Sequence, residues 1–284
     1  SKDVFDILYY ARYDIEEAVI PPQIEILQNN AFSFHPKLRT VIFPKNSKLK
    51  RIEGSPFFQS SISKLVLPES LEYIHYSAFN YADKLFEIEI SPKNQKFRMV
   101  DKFLFRKSDE SSKYFDALLF CRRNVENVEI PSYIKIIESY AFGNCENLKN
   151  LTFESGSLLE TIKYEAISYN YNLKSIVFPS SLKYIDLKGI IGNDKLEYVE
   201  FLGQYIENKC DFEECNKNIV LSFPNAIRIE FIENSFEKFP NGAKLKILQG
   251  AKLIGDVFNK IRSQIEFIES TKKINATTNK KKES

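Results

Sequence analysis

Short runs in which apolar and outward-facing positions alternate recur along the chain, and several of them close on proline. Ala18-Val19-Ile20-Pro21, Val41-Ile42-Phe43-Pro44, Leu65-Val66-Leu67-Pro68, Val128-Glu129-Ile130-Pro131 and Ile176-Val177-Phe178-Pro179 have this form. Versions without the proline end at Ile90, Phe153 and Phe201, and a last one ends at Phe223-Pro224. With the residue before the proline position as the marker, the steps are 23, 24 and 23 residues from Ile20 to Ile90 and 23, 25, 23 and 22 from Ile130 to Phe223. One long step of 40 residues separates Ile90 from Ile130. Each run predicts a short strand with one buried face, because successive strand side chains point to opposite sides. Proline then ends the strand, since it has no N–H to give to a neighbour.

A second pattern follows each run. An apolar residue is succeeded three positions later by another, and then by a small residue next to an aromatic or aliphatic one. The clearest copies are Ile24, Leu27, Ala31-Phe32; Leu71, Ile74, Ala78-Phe79; and Ile134, Ile137, Ala141-Phe142. Weaker copies run through Leu49, Ile52, Pro56-Phe57; Leu159, Ile162, Ala166-Ile167; Leu182, Ile185, Gly189-Ile190; and Ile229, Ile232, Phe236. A small residue beside a Phe at a constant site predicts a tight turn whose ring stacks on the ring of the next coil. A single unit of this kind cannot bury its apolar side, whereas stacked units share a continuous core. The pattern therefore predicts one elongated repeat solenoid.

The two motifs in this order resemble the BspA-type leucine-rich repeat, in which Leu-x-x-Ile-x-Ile-Pro is followed by Val-x-x-Ile and then Ala-Phe-x-x-Cys. The best copy here is Val128-Glu129-Ile130-Pro131 through Ile134, Ile137, Ala141-Phe142, Cys145 and Leu148. The resemblance implies a right-handed leucine-rich-repeat stack with one parallel sheet of short strands and a convex side of turns. The long step fits a non-repeat insertion near 91–127, a β-hairpin after an Asn-containing turn, marked by Phe97, Val100-Asp101, Leu104-Phe105 and Leu118-Leu119-Phe120. Residues 1–14 are expected to cap one end, 15–250 to form the repeats, 251–270 to cap the other end, and 271–284 to form a polar, basic, disordered tail. The motifs blur after residue 201, so the register there is left open. The resemblance also implies an interaction module, in many members a surface protein that adheres to extracellular matrix or to other cells.

If the strands line one side of the stack, the residues between the buried markers point outward and form the candidate partner-binding face. These are Thr40 and Ile42, Lys64 and Val66, Glu87 and Glu89, Asn127 and Glu129, Asn150 and Thr152, Ser175 and Val177, and Tyr198 and Glu200. The stripe reads as apolar at its start and acidic in its centre. Asn150-Leu151-Thr152 and Asn275-Ala276-Thr277 are glycosylation sequons. A glycan at Asn150 would obstruct the face, so Asn150 is expected to be unmodified.

Composition narrows the partner. The 40 Lys plus Arg against 38 Asp plus Glu leave a net charge of +2, too small to draw in nucleic acid or an anionic membrane over a distance. The 24 Phe and 15 Tyr against no Trp fit a fold with many equivalent slots for a flat ring. No apolar run approaches the roughly 20 residues needed to span a bilayer, and the opening residues lack the apolar core of a signal peptide. The expected partner is a protein, with an extracellular-matrix or cell-surface ligand first and an intracellular partner of a scaffold second. Nucleic acid and membrane insertion are not expected, and the compartment stays open between cell surface or secreted and cytoplasmic.

No constellation for catalysis, cofactor or metal stands out. Cys210 and Cys215 have a spacing found in some zinc sites, but zinc wants four ligands and the 2 His, His35 and His75, lie far away in sequence. A local disulfide and two free thiols both remain open for that pair. Cys145 reads as a small buried residue, the two His as repeat filler, and Glu16-Glu17 and Glu213-Glu214 as solvated charge. Gly54, Gly143 and Gly189 fall at turns and not in a phosphate loop.

Overall fold

A computed structural model of the chain describes residues 6–186, 188–208, 212, 214–231 and 242–269. The proline-ended runs form a front ladder of parallel strands. Glu17–Val19, Thr40–Ile42, Lys64–Leu67 and Glu87–Ile90 pair in sequence order with Ala18, Val41, Leu65 and Ile88 in one row. Asn127–Ile130 pairs with Asn150–Phe153. Ser175–Phe178, Tyr198–Phe201, Val220–Phe223, Lys244–Leu248 and Ile265–Ile268 continue the series. In these strands the marker side chains and those two positions before them point inward, as the alternating burial records. Parallel neighbours joined by a crossover of this kind take the right-handed connection.

The second motif forms a ladder of its own on the opposite side of the coil. Ile7–Leu8, Ile26–Leu27, Arg51–Ile52 and Tyr73–Ile74 pair in parallel, two residues each. Ile136–Ile137, Thr161–Ile162 and Tyr184–Ile185 do the same farther along, and the longer Tyr205–Asn208, Arg228–Phe231 and Lys252–Ile254 continue the ladder in parallel. The two-residue strands are too short to leave a periodic signature of their own. The turn that follows them also bonds from coil to coil, with the Phe32 N–H donating to Pro56 O, Phe142 to Ala166 O and Ile167 to Gly189 O, all at 2.8 Å. Backbone polar groups are thereby matched on three sides of the stack.

Register after residue 201, left open above, follows the ladders: Phe223 lies opposite Ile247, and Ile247 opposite Phe267. The segment from 251, expected as a cap, adds one more rung to both ladders, with a short helix at Val257–Lys260 between them. Residues 6–14 lay Ile7–Leu8 on the first rung of the second ladder. Val4 and Phe5, the 271–284 tail and the second sequon lie outside the described residues.

The expected ring stack has two locations. At the turn site Phe32 stacks on Phe57, with centroids 5.9 Å apart and planes 11° off parallel. In later coils that site holds Ile167 and Ile190, and the rings stack at the strand ends instead. Phe178 lies 5.3 Å from Phe201, and Phe201 lies 4.7 Å from Phe223 with planes 7° apart. Phe142 is fully buried, but its ring meets Phe103 edge-on at 6.4 Å and not a ring of the next coil.

The insertion is a three-stranded antiparallel sheet. Phe97–Val100 pairs with Phe103–Arg106, which pairs with Ala117–Cys121. The last of these joins the second ladder in parallel through Ala117 opposite Ile136. Asn94 starts it: its Oδ1 accepts from the Phe97 and Lys96 N–H groups at 2.8 and 2.9 Å, and its Nδ2 donates to Leu71 O at 2.8 Å. The central strands are buried on both faces. Leu104, Leu119 and Phe120 belong to the core of the coils before the insertion, whereas Phe103, Phe105, Leu118 and Cys121 belong to the core after it. A bulge opposite Leu104/Phe105 explains why the consecutive residues Leu119 and Phe120 face the same core.

Candidate functional site

All fourteen residues of the candidate face lie at least partly in solvent, and none is buried. The structure places them in three strips. Thr40, Ile42, Lys64, Val66, Glu87 and Glu89 share the first sheet, with Val19 extending it at 61% exposure. Asn127, Glu129, Asn150 and Thr152 share the second. Ser175, Val177, Tyr198 and Glu200 share the third. The insertion interrupts the ladder between Glu87–Ile90 and Asn127–Ile130, which is why the first two strips belong to different sheets.

The charge pattern is softer than the sequence suggests. Lys64 Nζ lies 3.1 Å from Glu87 and 2.5 Å from Glu89, so one cation serves two carboxylates. That hydrogen bond holds the Glu89 carboxyl below the usual range and the Lys64 ammonium above it. The Asn150 Nδ2 donates to Asn127 Oδ1 at 2.6 Å, and Thr152 Oγ1 donates to Val128 O at 3.2 Å. The Tyr198 hydroxyl donates to Glu200 on the same strand. Burial, and then the Glu200 bond, push the Tyr198 phenol up and keep it a donor. Glu129 makes no ion pair among the described residues, so the second strip keeps a net negative charge.

Two shallow grooves run along the strand ends. One, of about 460 Å³, is floored by Asn150, Thr152, Ser175 and Val177 and walled by Phe153, Pro179 and Leu202. The other, of about 560 Å³, lies between Phe43, Val66, Pro68, Glu89 and Pro92. The proline that ends each strand supplies the apolar wall. The recurring proline could have flagged those residues in the sequence, which otherwise marked only the strand itself.

The residues set aside as chemistry take structural places. His35 sits three positions after Phe32, the slot occupied elsewhere by Cys145, Asn170 and Asn193. It is fully buried, with Nδ1 2.9 Å from Ser33 O and Nε2 3.3 Å from Ala11 O, which ties the N-terminal segment to the first coil. In the same slot Asn193 Oδ1 accepts from the Asn170 N–H and Asn170 Oδ1 from the Cys145 N–H. His75 is partly exposed and lies 2.8 Å from Ser77 Oγ.

Two thiols, Cys121 and Cys145, are perturbed in opposite directions, Cys145 downward. Burial works to raise its pKa, but the Cys121 thiol and the Arg123 guanidinium outweigh that and bring it to about 7, while burial pushes Cys121 well up. Both sulfurs are fully buried, so this chemistry cannot reach a substrate. Cys210 lies outside the described residues, and Cys215 is buried with its thiol 3.3 Å from Ile190 O. Among the described residues no group of three His, Cys, Asp or Glu is placed to hold a metal ion. No helix of the described residues is long and apolar enough to cross a membrane.

The pattern of the BspA type leucine rich repeat region matches residues 5–117 and 113–229 in 6 copies. The chain belongs to this BspA-type leucine-rich repeat family. No curated protein matches it in sequence. Among solved structures, the BspA-type stack is similar to the pneumococcal vaccine antigen PcpA, at 22% identity and a TM-score of 0.62 over 90% of this chain and 67% of that one. It is also similar to a leucine-rich repeat protein from Eubacterium ventriosum, at 17% identity and a TM-score of 0.62 over 84% of this chain and 70% of that one. A leucine rich cell surface protein from Faecalibacterium prausnitzii matches at 19% identity and a TM-score of 0.56 over 93% of this chain and 62% of its own. At these identities the likeness is one of fold. The chain spans roughly two thirds of the length of these relatives.

Proposed function

We propose that this BspA-type chain is a non-catalytic protein-interaction module that works at a cell surface or after secretion and binds a matrix or cell-surface protein through its front ladder. One observation carries the reading. All fourteen face residues reach solvent, and the second and third strips flank an open groove with apolar walls and few charges. A protein loop could lay apolar side chains in that groove and find hydrogen-bond partners in Asn150, Thr152 and Ser175. The surface setting draws on fold likeness to a vaccine antigen and a cell surface protein.

Antibody labelling of intact source cells, compared with permeabilised ones, tests the setting. Signal on intact cells supports it, whereas signal only after permeabilisation favours an intracellular scaffold. The buried thiols Cys121 and Cys145 are free and would suit that alternative. A panel of immobilised matrix proteins, probed with the chain and with a Val177→Glu variant, then tests the face. Binding that the variant retains in full sinks the front-ladder assignment.

A further inference from the structure

Away from the front ladder, the turn edge of the stack carries a concentration of tyrosines where the two blocks of coils meet. The residue two positions after the Phe site adopts a left-handed backbone in successive coils: Phe34, Gln59, Tyr81, Asn144, Tyr169 and Gly192, with φ between 50° and 70°. Asn and Gly adopt this conformation readily and bulky residues do so at a steric cost. Asn144 and Gly192 are thus the easy solutions, whereas Tyr81 and Tyr169 keep large rings at a strained position. Their rings meet 6.1 Å apart although the Asn144 coil lies between them in sequence. Tyr81 also continues a row through Phe58 at 5.2 Å to Phe34, which is 54% exposed. Tyr169 rests on Gly192, where an added Cβ would come within 2.4 Å of its ring, so that glycine makes room for the aromatic.

The charges around this patch differ from those elsewhere. Over much of the surface a carboxylate is answered by a lysine one coil away, as in Glu25–Lys50, Glu126–Lys149 and Glu160–Lys183 at 2.8 to 3.1 Å. Around the tyrosines, Glu146 and Glu214 act electrostatically on Tyr171, and Glu214 also on Tyr169, yet neither carboxylate makes an ion pair among the described residues. Asp83 is half-buried between the Arg123 guanidinium, which answers its charge from the interior, and Glu146, and its Oδ1 has no hydrogen-bond partner. The patch therefore offers π faces together with the carboxylates of Glu146 and Glu214, which no cation among the described residues pairs, and Tyr171 is open to solvent at 42%. Those are the two features that attract a guanidinium or ammonium group.

We propose that the patch formed by Tyr81, Tyr169 and Tyr171 with Glu146 and Glu214 is a second docking site, which takes an arginine or lysine side chain from an exposed basic segment of a partner protein. The cation lies against the tyrosine rings, and the carboxylates replace the water it gives up. The site does not depend on the front ladder, so the two surfaces can be tested apart.

The test is fluorescence anisotropy of the full chain with a labelled Gly-Ser-Arg-Gly-Arg-Ser-Gly peptide, at low and at physiological ionic strength. Tyr171→Ala should weaken binding about 2- to 30-fold, the range that one cation–π contact spans. The double variant Glu146→Gln with Glu214→Gln should weaken it further and flatten its salt dependence. Glu129→Gln, on the front ladder, should leave it unchanged. Because Tyr169 is half-buried, its variant is Tyr169→Asn, which keeps the backbone conformation that Asn144 already adopts. A peptide with citrulline in place of arginine should not bind. Unchanged affinity in Tyr171→Ala and in the double carboxylate variant overturns the proposal, as does an equal loss in Glu129→Gln. Deletion of 271–284, which holds Lys272, Lys273 and Lys280 to Lys282, should change nothing. A tenfold gain in affinity on that deletion would mean that the patch serves the chain's own lysines and not a partner.

Discussion

The coils before residue 90 and those after residue 127 share one rung but hold it together differently. In the first block, rings stack at the turn, Phe32 on Phe57, while the strand ends hold the mixed set Phe43, Leu67 and Ile90. In the second block the turn site turns aliphatic after Phe142, at Ile167 and Ile190, and Phe178, Phe201 and Phe223 stack at the strand ends. Each block thus has one aromatic column, on a different edge, and neither column crosses the insertion. What crosses is the insertion itself, whose alternate side chains enter opposite cores, together with the Tyr81–Tyr169 contact and one buried cation. Arg123 is 3% exposed. It donates to Ala141 O at 2.9 Å and Tyr140 O at 3.0 Å on one side and to Phe79 O at 3.3 Å on the other, over the Phe120 ring. A repeat protein is stabilised by the sum of similar interfaces between neighbours. Here that sum has an odd member at the seam, built from contacts that occur once.

Losing a fully buried ring, inside the strand-end column or beside the insertion, should cost most. Phe201→Ala and Phe142→Ala each remove a fully buried ring of the second block and are expected to lose about 3–5 kcal/mol in denaturant melts. A loss below about 1 kcal/mol at Phe142 would mean that the ring is not packed as described. Next comes the seam. Arg123→Met removes this cation's hydrogen bonds to the Phe79, Tyr140 and Ala141 carbonyls, which keep the Ala82, Gly143 and Cys121 N–H groups as donors, and should cost about 1.5–3 kcal/mol, the range of one hydrogen bond to a charged group. It should also split the single melting transition into two, since the blocks then lose their shared polar contact. A single, merely shifted transition would show that the insertion's apolar side chains couple the blocks without Arg123.

A smaller effect is expected at Asp116, inside the insertion. Its buried carboxylate accepts from the Ser108 N–H at 2.8 Å and lies 3.4 Å from Lys135 Nζ. Burial alone would raise its pKa, but these partners outweigh burial and hold it below the usual carboxylate value. A depressed carboxylate contributes stability above its unfolded pKa of about 4 and loses it as pH falls through the folded value. Asp116→Asn should therefore be less stable than the wild type at neutral pH, by about 1–2 kcal/mol, and the gap should close in acid. A gap that does not change with pH would mean that the charge plays no part. The smallest effect belongs to the front ladder, where Lys64→Ala removes two exposed ion pairs and should cost under about 1 kcal/mol. Intact mass should show no glycan at Asn150, whose Nδ2 is engaged with Asn127, if the second strip serves as a binding face.

Much of this architecture could be read from residue spacing. Val128, Ile130, Ile134, Ile137, Phe142 and Leu148 fall in the core where the repeat placed them, because a period-two strand and a fixed turn leave each apolar side chain one direction to point. The fourteen face residues point outward for the same reason. The second ladder was less visible, since two residues carry no period. The choice of which Phe stacks on which was also hidden: the turn motif marks a ring site, but a stack needs rings at that site in adjacent coils, and Ile167 and Ile190 break the row.

Sequence by itself determined the coil length, the strand positions, the buried and exposed faces and the place of the interruption, because all of these follow from local periodicity and from proline. Tertiary structure alone decided how the interruption is bridged. A bulge puts Leu119 and Phe120 in one core, and a charged side chain, Arg123, is buried at the seam. Tyrosines 88 residues apart come together on the turn edge at Tyr81 and Tyr169. Their meeting depends on how two blocks close over an insertion, a long-range geometry that no local pattern of residues records.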